Sequence, residues 1–310
     1  MKALYTQYKT TKQSLWKWRK REVYLLDQWL LLEPVLSAWR GRHPSMGLKK
    51  LYACIKPDFI GRDRFIAYAL AYGLEAIRYQ KKSKSPNTSA TSTRKTYPNL
   101  LLDLNIVDID MVWVSDTTYF KIKDKWHYIT FIMDLYSRYI LGYHAAENLL
   151  ATANMACLKM ALNTRGVQRF TKKKPIHHSD RGAQYKSHDY IDALVTAGMQ
   201  PSMGRIVYDN IHVERLNQTI KGEYLIHRNI TSLNDLKKHL KKDVKLYNEE
   251  RPHDALGWKT PLEFERYICN IPLCERTKMK VFALKTKTSL QQTSTPENEL
   301  LQAKQLQFLL

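Results

Sequence analysis

The fold is decided by residues 111–147, MVWVSDTTYFKIKDKWHYITFIMDLYSRYILGYHAAE. The stretch is rich in Val, Ile, Trp, Tyr, Phe and Thr, which favour β-strands, and its polar breaks fall at hairpin distances. It predicts three consecutive strands at 111–120, 127–138 and 139–147. Asp116 lies inside the first strand, where a charge is unfavourable unless a cation or hydrogen bonds compensate it.

Helices and strands alternate after this stretch. The pattern predicts the order βββαβαβαα, which is typical of an α/β layer built on a mixed sheet. The tail from about residue 275 is predicted to add a strand and a terminal helix. The predicted elements after the first three strands are a helix at 149–166 that ends at Gly166, a strand at 174–180, a helix at about 187–197, the short stretch MQPSM at 199–203, and helices at 211–225 and 233–250.

The N-terminal part has a helical pattern instead. Residues 22–40 carry apolar positions at helical spacing, with Pro34 expected to bend or divide the helix. A second short helix is predicted to begin near Ser45. Three short helices with tight turns predict a helix-turn-helix module over about residues 40–78.

The third of these helices is predicted to follow Gly61. Arg62 and Arg64 stand at its start, where a recognition helix would meet base edges or phosphates. These two arginines are therefore candidate DNA contacts.

Charge points to a polyanionic partner. The net charge is +21, and residues 1–98 hold 20 basic against 6 acidic side chains. Four tryptophans are interleaved with this charge, so DNA or RNA is the expected partner, with a generally basic, solvated surface as the alternative. Residues 81–96 contain no large apolar residue and predict a flexible basic linker.

The remaining composition excludes several classes of protein. No apolar run approaches the length of a membrane span, and the N-terminus lacks the apolar core of a signal peptide, so a cytoplasmic location is expected. The four cysteines, Cys54, Cys157, Cys269 and Cys274, show no zinc-site spacing and are expected to be buried, reduced thiols.

Three acidic residues form the candidate site. Asp180 ends the strand KPIHHSD, and Glu214 lies one turn into a later helix. Taken singly, Asp116 could be a structural aspartate, Asp180 a loop cap and Glu214 part of a solvated face. Together they can converge on one sheet edge, where hard carboxylate ligands suit two Mg²⁺ or Mn²⁺ ions acting on phosphodiesters.

Several motifs resemble one family. HHSDRGAQY (177–185) resembles the second-aspartate signature of retroviral-integrase-like transposases, and DNIHVERLNQTIKGE (209–223) resembles the block that carries their third acidic residue. WVSDTTYF (113–120) is similar to the strand with their first aspartate. YNEERPHDALGWKTPLEF (247–264) is similar to the segment that closes the core in bacterial insertion-sequence transposases of the OrfB type. YPNLLLDL (97–104) and HPSMGLKKLY (43–52) match that group's linker boundary and helix-turn-helix.

The resemblance implies an RNase H-like catalytic core, a mixed five-stranded sheet flanked by helices, over residues 99–268. It also implies a basic helical region at 1–80, a linker at 81–98 and a C-terminal extension at 269–310. Asp116, Asp180 and Glu214 would then be the metal ligands of a DDE triad. Lys221 matches a basic position that contacts terminal DNA, and Arg181 and Gln184 fall in the second motif as candidate DNA contacts.

The implied activity is cleavage and joining of insertion-sequence ends, by a homo-multimer on DNA. Two departures from the family are visible. The Asp180–Glu214 interval has 33 intervening residues, slightly fewer than usual for the group, and the part before residue 40 is short, so a product of an upstream frame is a candidate partner.

Two alternative functions remain: an RNase H-like nuclease that cuts without joining, and a catalytically inactive DNA-binding protein. The chemistry does not require His177 or His178. His177 is expected to pack at the strand end, and for His178 packing and DNA positioning are both open.

Overall fold

The computed structural model describes residues 10–77, 96–204 and 211–280. Most of the linker predicted at 81–98 and the terminal helix predicted in the tail lie outside these described residues. The helices are α1 (Lys12–Arg42), α2 (Leu48–Ile55), α3 (Arg62–Ala71), α4 (Ala151–Thr164), α5 (His188–Thr196), α6 (Ile211–Thr219), α7 (Leu233–Glu249) and α8 (Pro261–Cys269). The strands are β1 (Asn105–Ile106), β2 (Val112–Ile122), β3 (Lys125–Asp134), β4 (Ile140–Ala146), β5 (Ile176–Ser179), β6 (Gln200–Met203) and β7 (Met279–Lys280).

Five of the strands form one mixed sheet in the order β4-β3-β2-β5-β6. β2 and β3 pair antiparallel, as do β3 and β4, whereas β5 runs parallel to both β2 and β6. The predicted α/β order and the mixed five-stranded sheet are therefore confirmed. β7 pairs with β1 in a separate two-stranded ladder, so the tail adds the expected strand at Met279–Lys280.

The strand predicted at 127–138, which is β3 of the structure, ends earlier than its sequence pattern predicts. β3 ends at Asp134, which is fully buried. Its Oδ1 accepts the backbone N–H groups of Tyr136 and Ser137, at 3.0 and 2.8 Å. This carboxylate closes a turn before β4, and Arg138 lies in that turn with a φ of 62°. Apolar composition alone does not reveal such a turn.

The sheet is covered on both faces because side chains alternate along each strand. Val112 and Val114 pack in a core with residues of α6 and α7, whereas Trp113 packs in a second core with residues of α4 and α5. Gly142 lies where β4 meets α4. A Cβ atom there would overlap the carbonyl oxygen of Cys157, which leaves no room for a larger residue.

The three N-terminal helices share a core of their own. Trp29 of α1 is fully buried and contacts Phe65 of α3 edge to face, with ring centroids 5.5 Å apart. α1 extends from Lys12 through Pro34 to Arg42, so Pro34 does not divide the helix, and the alternative that it bends the helix stays a prediction. Residues of α1 before position 40, Trp29 among them, contribute to this core. The domain boundaries themselves stay a prediction.

This helical module is joined to the sheet domain by buried polar contacts. His43, at the end of α1, is 1% exposed. Its Nδ1 lies 3.0 Å from the hydroxyl of Tyr224, and its Nε2 lies 3.1 Å from Oε2 of Glu250. Arg42 Nε donates to the same carboxylate at 2.9 Å. The contact is specific because it satisfies both ring nitrogens of a buried histidine.

Within the ranges that the structure describes, no helix combines the length and the apolarity that a bilayer span requires.

Candidate active site

Asp116 on β2 and Asp180, the residue directly after β5, lie at equivalent distances beyond the last recorded pair of these two neighbouring parallel strands. β2 pairs with β5 from Val112↔Ile176 to Val114↔His178, and each aspartate follows two residues beyond the last of these pairs. Because side chains repeat with a period of two and paired residues of parallel strands face the same side, the register carries both carboxylates to one face. That face is the one on which Val114 packs against the α6 core.

Glu214 lies on α6, the helix that packs against this face of the sheet. Val213 and Leu216 are buried and fix the helix against the core. Asn217, three residues after Glu214 and therefore on the same side of the helix, donates from Nδ2 to Oδ2 of Asp116 at 2.7 Å. This bond ties the helix directly to the central strand.

Electrostatics couple the three carboxylates. Burial, followed by the charge of Asp180, raises the pKa of Asp116 to about 8, and Glu214 adds to the rise. Burial also raises the pKa of Asp180, although the N–H of Gly182 donates to it at 2.9 Å. Burial and then the charge of Asp180 raise the pKa of Glu214. Each ionised form is disfavoured by its surroundings, so a cation would relieve this site.

Asp180 has a solvent-exposed surface, and Asp116 and Glu214 are half-buried. The pKa of Asp180 is therefore raised by protein atoms packed around its carboxylate, although another part of the residue is open to solvent. The described residues contain no group of three or more His, Cys, Asp or Glu side chains placed to hold a metal ion together. The two aspartates in register and the approaching glutamate thus interact through their charges without forming a closed set of ligands.

The donor set nevertheless has the chemistry of a hard divalent cation site. All three groups are carboxylates, which Mg²⁺ and Mn²⁺ prefer over sulfur or imidazole ligands. The second amide atom of Asn217, Oδ1, is buried and has no hydrogen-bond partner among the described residues.

All four cysteines are free thiols, and only Cys157 is fully buried, so the expectation of buried thiols is wrong for the exposed Cys269 and Cys274.

Lys221 lies close to the carboxylates. Its Nζ donates to Oγ1 of Thr118 at 2.6 Å and to the carbonyl oxygen of Tyr119 at 3.4 Å, both on β2. Its charge lowers the pKa of Asp116, opposing the effect of burial. The predicted DNA contact of Lys221 stays a prediction, with a position beside the candidate site.

The two other candidates in the second motif follow Asp180 directly. Arg181 is exposed, and Gln184 lies in the 3₁₀ turn Ala183–Lys186. A Cβ atom on Gly182 would lie 2.5 Å from Nε2 of Gln184, so this glycine leaves room for the glutamine side chain. Both residues border the aspartate, and their role in DNA binding stays a prediction.

The helix-turn-helix candidates lie on α3, in the separate helical module. Arg62 is exposed and pairs with Asp63 at 2.9 Å. Arg64 forms an ion pair with Glu22 of α1 and so also connects two helices. Their proposed contacts with DNA stay predictions.

Both histidines of the second motif are structural. His177 is 1% exposed, and its Nε2 lies 3.0 Å from the hydroxyl of Tyr190. Burial lowers its pKa to about 3, so it is neutral. His178 is fully buried, with Nδ1 2.9 Å from Oγ of Ser202 on β6. The packing expected for His177 is found, and His178 packs as well.

Sequence reasoning missed the role of Asn217. Its spacing from Glu214 placed it on a polar helix face, which is usually solvated. The residue is in fact only 5% exposed, because the face turns toward β2. The spacing of three residues from the glutamate was the available signal, but only the tertiary contact gives it meaning.

Two family models, both described as integrase core domains, match residues 110–208 and 199–261. The insertion element IS600 uncharacterized 31 kDa protein of Shigella sonnei is 30% identical over 251 residues, which cover 78% of this chain and 89% of that protein. The putative transposase for insertion sequence element IS986/IS6110 of Mycobacterium tuberculosis is 32% identical over 158 residues, or 50% of this chain and 57% of that protein.

Among solved structures, the integrase catalytic core domain of HTLV-2, described in complex with magnesium in a dimeric form, covers 51% of this chain and 97% of its own. Its sequence identity is 17% and its TM-score is 0.41.

The integrase core models, on a mixed five-stranded sheet flanked by helices, define a polynucleotidyl transferase of the DDE type with an RNase H-like core. The chain belongs to the bacterial insertion-sequence transposases with an integrase-like core.

Proposed function

We propose that this transposase cuts the ends of an insertion sequence and joins them to another DNA strand, with Asp116, Asp180 and Glu214 as its catalytic carboxylates. The observation that supports the proposal most strongly is that Asp116 and Asp180 each lie two residues beyond the last pair of two parallel strands, and that both Asp116 and Glu214 are electrostatically coupled to Asp180. The basic net charge of +21 suits a DNA substrate.

The proposed cofactor is Mg²⁺, with Mn²⁺ able to substitute, as two ions held by the three carboxylates. When bound, such ions activate an attacking oxygen and stabilise the charge on the leaving oxygen. Asp116 is held in place by Asn217, and Lys221 limits the rise of its pKa. Glu214 would supply the third carboxylate from α6. No side chain of the chain acts as a covalent nucleophile in this proposal.

The site contributes position and charge to the reaction. In-line attack by water would cut the DNA end, and attack by the freed 3′-hydroxyl would join it to a target strand. Arg181 and Gln184, which follow Asp180 in the chain, and Lys221, whose charge acts on Asp116, are proposed to hold the terminal DNA. Arg62 and Arg64 are proposed to hold another part of the same end.

Joining of a pre-cut end tests this function against its alternatives. The purified chain should transfer a labelled duplex with a recessed 3′ end to a plasmid in Mg²⁺. Cutting without joining would favour a nuclease, and salt-sensitive binding without either reaction would favour an inactive DNA-binding protein.

The helical module is proposed to recognise the ends. Deletion of residues 1–80 should remove the preference for terminal repeats over random DNA. A deleted chain that still prefers those ends would place recognition elsewhere. We further propose that the transposase acts in the cytoplasm, as a homo-multimer on DNA, and that a product of an upstream frame assists it.

A further inference from the structure

One concave part of the surface has none of the three carboxylates in its lining. It is a cleft of about 410 Å³ between the turn after β3, the segment at 255–259 and the chain before β7. Its polar and aromatic walls include Tyr136, Arg138, Lys259, Phe264, Tyr267 and Lys278. None of the described residues that line the cleft is acidic. The cleft is therefore cationic and partly aromatic.

Arg138 is the unusual residue of this cleft. Its Nη1 is buried and has no hydrogen-bond partner among the described residues. Its Nη2 contacts only the sulfur of Met279, at 3.8 Å, and no carboxylate in the described ranges lies within 4 Å of the guanidinium. Burial lowers its pKa to about 10. A buried guanidinium normally has an anionic partner, so this one has capacity left for an anion.

The buried arginines elsewhere in the chain show the contrast. Arg165 binds Glu265 through two bonds of 2.7 Å, and Arg251 binds Glu223 in the same way. Asp134, the acidic residue whose charge acts on Arg138, is already occupied by three backbone N–H groups.

The backbone around the cleft is strained in two places. Arg138 and Trp258 have φ values of 62° and 63°, in the left-handed region that non-glycine residues rarely adopt. The Arg138 N–H bonds to the carbonyl of Asp134 at 2.9 Å, and the Trp258 N–H bonds to the carbonyl of His253 at the same distance. Such conformations persist where surrounding contacts enforce them, and they are found preferentially at ligand sites.

An exposed aromatic ring stands beside the cations. Tyr267 is 48% exposed, and Lys259 Nζ lies 4.4 Å from the centre of its ring. Phe264 lies next to it, with ring centroids 6.5 Å apart. Proteins that bind single-stranded nucleic acid combine basic groups for the backbone with aromatic faces on which bases stack. Both elements are present within one cleft of nucleotide size.

We propose that the cleft binds one nucleotide of a single DNA strand, with its phosphate on Arg138 and Lys259 and its base against Tyr267. The inference rests on the proposed function only in that the chain acts on DNA, and it does not depend on the identity of the catalytic carboxylates. It gives the segment HDALGWK at 253–259 a role in holding substrate.

Binding without catalysis tests the proposal. The full chain is measured in EDTA by fluorescence anisotropy, with a fluorescein-labelled oligothymidylate of about ten nucleotides and with its duplex. Lys259→Met and Tyr267→Leu should each weaken single-strand binding about tenfold, whereas Tyr267→Phe, which keeps the ring, should stay within about twofold of wild type. Lys159→Met, on the exposed surface of α4, is the matched loss of one charge and should leave the affinity unchanged.

Each other outcome contradicts a specific part of the proposal. Unchanged single-strand affinity in both Lys259→Met and Tyr267→Leu would overturn it. If only Lys259→Met lost single-strand affinity and inorganic phosphate competed with the oligonucleotide, the cleft would be a phosphate site, and the proposal that it binds a nucleotide would be overturned. Arg138→Gln joins the binding measurement if its thermal melting matches that of the wild type. If it does not, the Lys259 and Tyr267 variants alone decide whether the cleft binds a nucleotide. A chain that binds no DNA at all would contradict the proposed function instead.

Discussion

Asn217→Leu tests whether Asp116 is held ready for a metal ion. Asn217 Nδ2 and Asp116 Oδ2 are 2.7 Å apart, and Asn217 is only 5% exposed. A hydrogen bond to a charged group contributes about 1.5–3 kcal/mol. Loss of a group that orients a metal ligand typically lowers metal affinity or activity by about 10–100-fold.

The expected result is a higher metal requirement in a folded protein. The Mg²⁺ concentration for half-maximal cleavage should rise about tenfold or more, with the maximal rate largely recovered at saturating metal. Loss of this hydrogen bond is offset by removal of a buried Oδ1 atom that lacks a partner, and leucine keeps the branched shape of the side chain, so the free energy of unfolding should change by less than about 1 kcal/mol.

The assay is the initial rate of cleavage of a labelled duplex that carries the element's end, measured over a series of Mg²⁺ concentrations. Asn163→Leu, on the exposed end of α4, is the matched control and should follow the wild-type curve. Half-maximal cleavage by Asn217→Leu at the wild-type Mg²⁺ concentration would refute the role assigned to this amide.

Three further predictions concern stability. Gly142→Ala should destabilise the fold by about 1–3 kcal/mol because its Cβ would overlap the Cys157 carbonyl. Gly41→Ala, which has open space around it in α1, should stabilise the fold by about 0.5–1 kcal/mol. Thermal melting of the two variants checks that the melting temperatures shift in opposite directions. Arg165→Met should destabilise the fold by about 3–5 kcal/mol because it leaves the largely enclosed Glu265 carboxylate without its cationic partner. Adding Glu265→Leu should recover much of the loss in urea unfolding, and a double variant no more stable than the single one would contradict this. Burial lowers the pKa values of His177, His212 and His253 to about 3, about 3 and about 2, so below pH 6.5 the unfolded chain takes up protons that the folded chain does not. Asp134 and Asp116, whose pKa values burial raises to about 6 and about 8, offset two of these three protons, so the urea midpoint should fall modestly from pH 7 to pH 5, and a rise would contradict the assignment.

The sheet was predictable because its strands carry their own signals. Residues 111–147 are rich in β-favouring residues with polar breaks at hairpin distances, and β2, β3 and β4 form there as expected. The end of β3 was not predictable, because it depends on the burial of Asp134 beneath a turn that three backbone N–H groups stabilise. Similarly, Pro34 is accommodated within α1, whose buried face is fixed by Trp29 and its neighbours.

The candidate site was predictable in its carboxylates but not in its supports. Asp116 and Asp180 were grouped because strand-associated acids can converge on one sheet edge and because their motifs resemble a family, and the parallel pairing of β2 with β5 supplies the physical reason for their proximity. The contacts of Asn217 and Lys221 join α6 and the turn after it to β2, across about one hundred residues of sequence. Such long-range polar contacts leave no periodic signal, so sequence reasoning treated Asn217 as solvated.

The most direct test of the account is Mg²⁺-dependent cleavage of the element's end by Asp116→Asn, Asp180→Asn and Glu214→Gln, with end binding measured in parallel. The account predicts that all three variants bind the end with nearly wild-type affinity and that none cleaves it, because each loses a carboxylate that the other two cannot replace. Cleavage at the wild-type rate by any one of them would contradict the assignment of these residues as the catalytic carboxylates.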